Sequence, residues 1–265
     1  MEKYVFLTDI DGTLLRGKME IPVSVIAAAA EFISAGGLLG LCTGRSMVSV
    51  VEIAGLMQVN APSVLYNGSA IYDFSAGEFL KNRSFDKGIF ESVERAYGLF
   101  PKVAISVQTN RGIFLIRTTE HFSKKCIKEE LPDKISTIDD IRGDVLKIVF
   151  ASEDIDSLRN CGEECFSDHM FAFASKRFAE AVPKGSGKGA GLNDISEICN
   201  VPTGRFFMAG DAMTDLPAIK MAGFSFAPSD AAPQLLETCS MTIPPCEEGG
   251  MEKAFRIATG MIQML

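Results

Sequence analysis

The sequence predicts an α/β protein with a parallel-sheet core and an α+β layer inserted into it. Short apolar runs alternate with helical segments at both ends of the 265-residue chain, which is typical of parallel strands joined by helices. The middle third carries hairpin signals, which indicate antiparallel strands. We therefore expect residues 1–83 and 184–265 to form a core domain and residues 84–183 to form a cap.

The first third of the chain opens with an apolar run that ends in aspartate, as a buried parallel strand does. An alanine-rich segment follows, with a proline in its first turn and a glycine pair at its end, which predicts a helix. The predicted elements here are strands at Tyr4–Thr8, Leu38–Cys42, Ser63–Tyr66 and Ile71–Asp73, helices at Pro22–Ala35 and Ser46–Met57, and a turn at Asn67-Gly68.

The middle third combines hairpins with helices. The predicted elements are helices at Ile89–Leu99, His121–Glu129 and Ile155–Glu164, and strands at Val103–Thr109, Gly112–Arg117, Val145–Ala151, Met170–Ala174 and Phe178–Val182. Such an arrangement favours a separate α+β layer.

The last third returns to alternating helices and strands. The predicted helices are Lys188–Cys199, Asp215–Ala222, Ala232–Thr238 and Gly250–Met264, and the predicted strands are Arg205–Ala209, Phe224–Ala227 and Met241–Ile243. The simplest core is one sheet built from both ends of the chain.

Composition excludes several classes of function. The formal charge is −8, which disfavours nucleic acid and anionic lipid as partners. The seven cysteines form no CxxC pair, so we expect reduced thiols rather than disulfides or zinc. Acidic residues come too early for a signal peptide, and no apolar run is long enough to cross a bilayer. We expect a cytoplasmic protein, either a monomer or a small homo-oligomer.

The segment DIDGTLL carries the first candidate site. The predicted strand before it delivers Asp9 and Asp11 to its carboxyl end, where open α/β sheets bind ligands. Residues two apart on an extended chain face the same way, and paired carboxylates repel unless a cation or a proton intervenes. Oxygen ligands suit a hard divalent cation, and one acid could attack while the other exchanges a proton. The alternative is a solvated turn.

Three further segments place polar groups where strands end or helices begin. Thr43-Gly44-Arg45 offers a hydroxyl and backbone amides before a predicted helix, which suit a phosphate or an ordinary helix cap. Lys188 opens a helix after a glycine-rich loop, where a nearby anion would explain the cation, although the loop could also be a hinge. Asp211 could complete a cation site with Asp9, and Asp215 could bind through water or orient a neighbour.

The combined order of these motifs resembles the haloacid dehalogenase superfamily, and within it the Cof-type sugar-phosphatase branch. DIDGTLL, TGR, LYNGSAIYD, EAVPKGSGKGAGL and GDAMTD follow the order of that family over nearly the whole chain. The resemblance implies a Rossmann-like core, a large α/β cap between the TGR and lysine motifs that sets specificity, and magnesium-dependent hydrolysis of small phosphate esters.

The same resemblance implies a role for each matching residue. Asp9 is the nucleophile that forms an aspartyl-phosphate, and Asp11 protonates the leaving alkoxide and then activates water. The phosphoryl group is held by Thr43 with Gly44, Lys188 and, at the family's asparagine position, Thr214. Mg²⁺ is bound by Asp9, the backbone carbonyl of Asp11 and Asp211, with Asp215 in support. The acid at Asp11 favours phosphate chemistry over dehalogenation.

The sequence departs from the branch at two positions. Thr214 stands where most members have asparagine, and Gly249 stands where they usually have aspartate. Cap residues that could meet a substrate, or equally be surface charges, are Arg111, Arg117, His121, Lys176 and Arg177.

Two other functions remain open on this scaffold. One is a phosphotransferase or phosphomutase, which transfer to an added sugar would distinguish from release to water. The other is a catalytically weak phosphometabolite sensor, for which Thr214 is the sequence support. Family analogy suggests hexose phosphates, pyridoxal phosphate and flavin precursors as substrates.

Overall fold

The structure, a computed structural model, describes residues 2–17, 20–119, 135–152, 158, 165–173 and 177–264. These residues form two compact units: the first comprises residues 1–44, 50–81 and 187–265, and the second residues 45–49 and 82–186. None of the helices described there is long and apolar enough to cross a membrane.

The first unit is built on a five-stranded parallel sheet in the order β13-β12-β11-β1-β2. The strands are β1 (Val5–Thr8), β2 (Leu38–Leu41), β11 (Phe206–Ala209), β12 (Phe224–Pro228) and β13 (Met241–Ile243). β1 lies between β2 and β11, and it is fully buried. The predicted α/β class is confirmed, and the strands supplied by both ends of the chain meet at β1.

Helices cover both faces of this sheet. They are α1 (Val23–Ser34), α4 (Lys188–Cys199), α5 (Leu216–Met221), α6 (Pro233–Thr238) and α7 (Gly250–Gln263), while α2 (Met47–Leu56) follows β2 in the chain. Phe6 packs at ring-centroid distances of 5.8 Å from Phe32 of α1 and 4.6 Å from Phe255 of α7. On the other face, Val5 and Leu7 belong to a cluster with residues of α4, α5 and α6. The alternation of side chains along β1 therefore supplies both hydrophobic layers.

A small second sheet of the first unit has the order β3-β4-β5. Its strands are β3 (Ser63–Leu65), β4 (Ala70–Asp73) and β5 (Glu78–Asn82). The predicted turn at Asn67-Gly68 does separate the antiparallel strands β3 and β4. β5 was not predicted, because its residues are largely exposed and lack the alternation of a half-buried strand.

The second unit contains an antiparallel sheet in the order β7-β6-β8-β10-β9. The strands are β6 (Ala104–Thr109), β7 (Gly112–Arg117), β8 (Val145–Ala151), β9 (Met170–Phe173) and β10 (Phe178–Val182), and α3 (Ile89–Leu99) contributes to their core. The predicted hairpin and strands are present. The predicted helix His121–Glu129 lies outside the described residues, as does Ile155–Glu164 except for residue 158.

Candidate active site

The strand register brings three polar chain segments to one edge of the parallel sheet. Thr8 of β1 is level with Leu41 of β2 and Ala209 of β11. The Asp9 amide then donates to the Ala209 carbonyl at 2.9 Å. On the other side of β1, the chain runs from the end of β2 into Thr43. Because the carboxyl ends of parallel strands meet at this edge, residues that are distant in sequence become neighbours.

Three carboxylates converge at this edge. Asp9, Asp211 and Asp215 each offer an oxygen, and these oxygens all lie within 4.8 Å of one another. Asp9 and Asp215 are buried and Asp211 is half-buried. Such proximity is unfavourable for three ionised acids unless positive charge is supplied.

Lys188 supplies one of the compensating charges. It is the first residue of α4 and only 3% exposed, and its Nζ lies 2.8 Å from Asp9 Oδ1 and 2.6 Å from Asp215 Oδ1. Burial alone would lower the pKa of this ammonium, but Asp215 and Asp9 outweigh burial and raise the pKa above its ordinary value. Lys188 therefore stays charged, and three carboxylates against one ammonium leave an excess of two negative charges.

Burial also disfavours the ionised form of the carboxylic acids, which raises their pKa values. It raises the pKa of Asp9 to about 6, a shift that Lys188 reduces and the charge of Asp215 increases. Burial and the charge of Asp9 raise the pKa of Asp211 to about 6 as well, against the Thr13 hydrogen bond. Binding of a proton or a cation between these groups is therefore favoured.

The donor set fits Mg²⁺. The candidate ligands are carboxylate oxygens, which a hard divalent cation prefers, and the excess charge of the cluster matches that of the ion. Asp211 lies directly against Gly12: a Cβ on Gly12 would come 2.3 Å from Asp211 Oδ2, and the φ of Gly12 is +88°. Only glycine leaves room there for the Asp211 carboxylate.

Two hydrogen-bond arrangements hold the acids in place. Thr13 Oγ1 donates to Asp211 Oδ1 at 2.9 Å. Asp215 Oδ2 accepts from the backbone amides of Asp211 and Ala212 at 3.2 and 3.0 Å, while its Oδ1 accepts from Lys188. Because both oxygens of Asp215 already have protein donors, its geometry suits a supporting role.

The Thr43-Gly44 segment is fixed by the end of β3. The Thr43 amide donates to the Val64 carbonyl at 2.9 Å, and the Asn67 amide donates to the Thr43 carbonyl at 3.2 Å. A Cβ on Gly44 would come 2.4 Å from Asn67 Oδ1. The Thr43 residue is itself buried, two positions after the end of β2.

Two further predicted site residues differ in their exposure to solvent. Asp11 is half-buried in the turn after β1, and Thr214 is exposed between Met213 and Asp215. The structure therefore brings Asp9, Lys188, Asp211 and Asp215 into direct proximity, whereas it shows no arrangement that assigns Thr214 to a phosphate.

Sequence reasoning missed three contributions. Thr13 was not among the predicted site residues, yet its hydroxyl donates to the Asp211 carboxylate. The pairing of Lys188 with Asp215 was not foreseen, although a carboxylate one helical turn beyond GD was a signal for it. Asn67 was interpreted only as a hairpin turn, and nothing in its local pattern connects it to Thr43.

Among the candidate cap residues, Arg117 is engaged within the second unit. Its Nη1 donates to the Phe100 carbonyl at 2.6 Å, and its guanidinium lies 3.5 Å from the centroid of the Tyr97 ring. These contacts give Arg117 a structural role. Lys176 and His121 lie outside the described residues.

Comparison with known proteins agrees with this chemistry. The profile of the haloacid dehalogenase-like hydrolases matches residues 6–255. Two proteins of Bacillus subtilis are similar along almost their whole length, and both are named 5-amino-6-(5-phospho-D-ribitylamino)uracil phosphatase. YwtE is 24% identical over 271 residues, covering 92% of this chain and 93% of its own, and YitU is 22% identical over 264 residues, covering 94% and 95%.

Solved structures share the fold across both units. A haloacid dehalogenase-like hydrolase from Bacteroides thetaiotaomicron superposes with a TM-score of 0.85 at 21% identity, covering 97% of this chain and 99% of its own. The sugar phosphatase BT4131, of subclass IIB, has a TM-score of 0.80 at 17% identity, covering 96% and 98%.

Proposed function

The chain belongs to the haloacid dehalogenase-like hydrolases, and from this premise we propose that it is a magnesium-dependent phosphatase of small phosphorylated metabolites that uses Asp9 as its nucleophile. The single observation that carries the proposal is the buried Asp9 carboxylate, with Lys188 on its Oδ1 and Asp211 and Asp215 within a few ångströms. Phosphoryl transfer depends mainly on positioning and charge neutralisation, and this cluster supplies both.

The proposed reaction has two steps on Asp9. A carboxylate oxygen of Asp9 bonds to phosphorus while the bond from phosphorus to the leaving alkoxide breaks, and Asp11 gives its proton to that alkoxide. Asp11 then takes a proton from water as the water oxygen attacks phosphorus, which releases inorganic phosphate and restores Asp9. The 2.8 Å contact of Lys188 with Oδ1 supports the assignment because it orients the Asp9 carboxylate.

Lys188 and Thr43 are proposed to hold the phosphoryl oxygens. Lys188 stays charged at the base of the cluster, where a phosphoryl group bound to Asp9 would meet its ammonium. Thr43 ends the neighbouring strand, and its backbone is fixed on both sides by Val64 and Asn67. Gly44 adds a backbone amide at the same position, and the exposed Thr214 is a weaker candidate for the same role.

Mg²⁺ would be held by Asp9, Asp211 and the backbone carbonyl of Asp11, with Asp215 supporting Lys188 and the Asp211 backbone. When bound, the ion neutralises charge on the phosphoryl group. The residues of the chain orient the groups around it: Thr13 holds Asp211, and Gly12 leaves room for its carboxylate.

The substrate is proposed to be a small phosphate monoester, and residues 84–183 are proposed to select it as a cap. The names of YwtE and YitU make a phosphorylated ribitylaminouracil one compound to test, and that of BT4131 makes sugar phosphates another. A panel of both, with pyridoxal phosphate, assayed with purified protein and Mg²⁺, ranks them by kcat/KM. Transfer to an added sugar in place of release to water would favour a phosphotransferase.

The direct test is Asp9→Asn. The substitution keeps the size of the side chain and removes its nucleophilic charge, so phosphate release from an aryl phosphate is expected to fall by on the order of 10³-fold or more. Asp168→Asn, the same change at an exposed aspartate of the second unit, is the matched control and should keep wild-type turnover. Retained turnover in Asp9→Asn would refute the nucleophile assignment.

A further inference from the structure

Three consecutive residues after β3 have left-handed backbone conformations. Their φ angles are +51° at Tyr66, +55° at Asn67 and +86° at Gly68. Glycine adopts this region freely and asparagine tolerates it, but a bulky residue such as Tyr66 does so only where its surroundings impose it. Tyr66 is 2% exposed, so the unfavourable conformation is fixed by packing.

One side of this turn fixes Thr43. In the strand before the turn, the Val64 carbonyl accepts a hydrogen bond from the Thr43 amide. In the turn itself, the Asn67 amide donates to the Thr43 carbonyl. Both backbone hydrogen-bonding groups of Thr43 are therefore bound to Val64–Gly68. The Asn67 side chain also lies against Gly44, closely enough to exclude a Cβ there.

The other side of the turn supports the start of α4. A Cβ on Gly68 would come 2.1 Å from the Gly187 carbonyl oxygen, and a Cβ on Gly191 would come 2.4 Å from Val64 Cγ1. Gly187 immediately precedes Lys188, and its carbonyl accepts the Gly191 amide at 2.9 Å. The first turn of the helix that carries Lys188 is therefore packed onto the same short segment that fixes Thr43.

We propose that the left-handed turn Tyr66–Gly68 is a positioning element that sets the separation between the Thr43 hydroxyl and the Lys188 ammonium. This inference rests on the proposed function, in which these two groups hold the phosphoryl oxygens. Thr43 follows β2 whereas Lys188 begins α4, and the turn contacts the backbone next to both residues. Its strained conformation fixes the width of the phosphate site.

The test is Gly68→Ala, compared with Gly77→Ala. Both glycines have positive φ, but a Cβ at Gly77 meets nothing within 4 Å whereas one at Gly68 collides with Gly187. Gly68→Ala is expected to raise the KM for an aryl phosphate and weaken inhibition by inorganic phosphate about 10-fold or more, because the site no longer fits the phosphoryl group. Its Mg²⁺ affinity should stay within about 2-fold, and Gly77→Ala should match wild type.

A merely structural role would reduce the fraction of folded protein and leave KM and phosphate inhibition unchanged, which would overturn the proposal. Should Gly68→Ala not fold, Asn67→Gly and Asn67→Val decide the matter. Glycine keeps the left-handed backbone and β-branched valine opposes it, so phosphate should bind more tightly to Asn67→Gly. Equal phosphate affinity in those two variants would overturn the proposal.

The proposed function and this inference fail in different ways. Wild-type protein that binds inorganic phosphate in a calorimetric titration with Mg²⁺ but hydrolyses no ester contradicts the phosphatase, and the variants are then compared by phosphate binding alone. Wild-type protein that binds no phosphate contradicts both.

Discussion

Among the single residues of the site, the dominant feature is an excess of negative charge. Asp9, Asp211 and Asp215 crowd their carboxylates together, and the Lys188 ammonium neutralises only one of them. Burial raises the pKa of Asp9 and Asp211 to about 6 in the absence of a metal. The side chains are therefore arranged to bind something positively charged.

Adding one methyl group at Gly12 tests whether the position of the Asp211 carboxylate matters for metal binding. Gly12→Ala is expected to weaken Mg²⁺ binding about 10-fold or more, because the Cβ would displace Asp211 and the φ of +88° disfavours alanine. Isothermal titration with Mg²⁺ measures the change. The matched control is Gly17→Ala, whose φ is +64° with nothing within 4 Å of a Cβ; equal affinities in the two variants would remove Asp211 from the metal site.

At the scale of elements, the ends of strands and helices place the chemistry. β1 is central and buried on both faces, so its register with β2 and β11 fixes where Asp9 lies relative to Thr43 and Asp211. Apolar runs that end in polar residues made this placement predictable. The turn at Asn67-Gly68 was predicted, but the left-handed conformation of Tyr66 and the contacts of the turn with Gly44 and Gly187 were not, because they join segments far apart in sequence.

At the scale of the whole molecule, the periodicity of both chain ends was sufficient to predict the parallel sheet, and hairpin signals predicted the antiparallel one. β5 escaped prediction because exposed edge strands carry little hydrophobic pattern. A supporting role for Asp215 was predicted, but the hydrogen-bond partners of Asp215 and Thr13 were not, since those partners depend on how segments far apart in sequence meet. We propose that residues 84–183 select the substrate, and the sequence offers charged residues there without indicating what they bind.

The pH dependence of stability follows from the raised pKa values. Asp9 and Asp211 bind protons more tightly in the folded, metal-free chain than in the unfolded one. Their stabilising contribution is therefore present below about pH 4 and is lost as the pH rises through about 6. Mg²⁺ requires both groups ionised, so its apparent affinity is expected to fall roughly 10- to 100-fold from about pH 7 to about pH 5.

Thermal denaturation over a series of Mg²⁺ concentrations at each pH measures that affinity. Asp211→Asn is the control, and it should lose most of the Mg²⁺-dependent rise in Tm at both pH values. A rise in wild-type Tm that does not depend on pH would show that the two acids are not the groups that bind the ion.

The assignment of Asp9 as the nucleophile is tested most directly by finding which residue is phosphorylated during turnover. Asp11→Asn protein with Mg²⁺ is mixed with an aryl phosphate, whose phenolate leaves without a proton donor, then quenched in acid, digested at low pH and mapped by peptide mass spectrometry. We expect a phosphoryl adduct on Asp9, which accumulates because the group that activates water is missing. An adduct on any other residue, or hydrolysis that proceeds with no adduct at all, would contradict it.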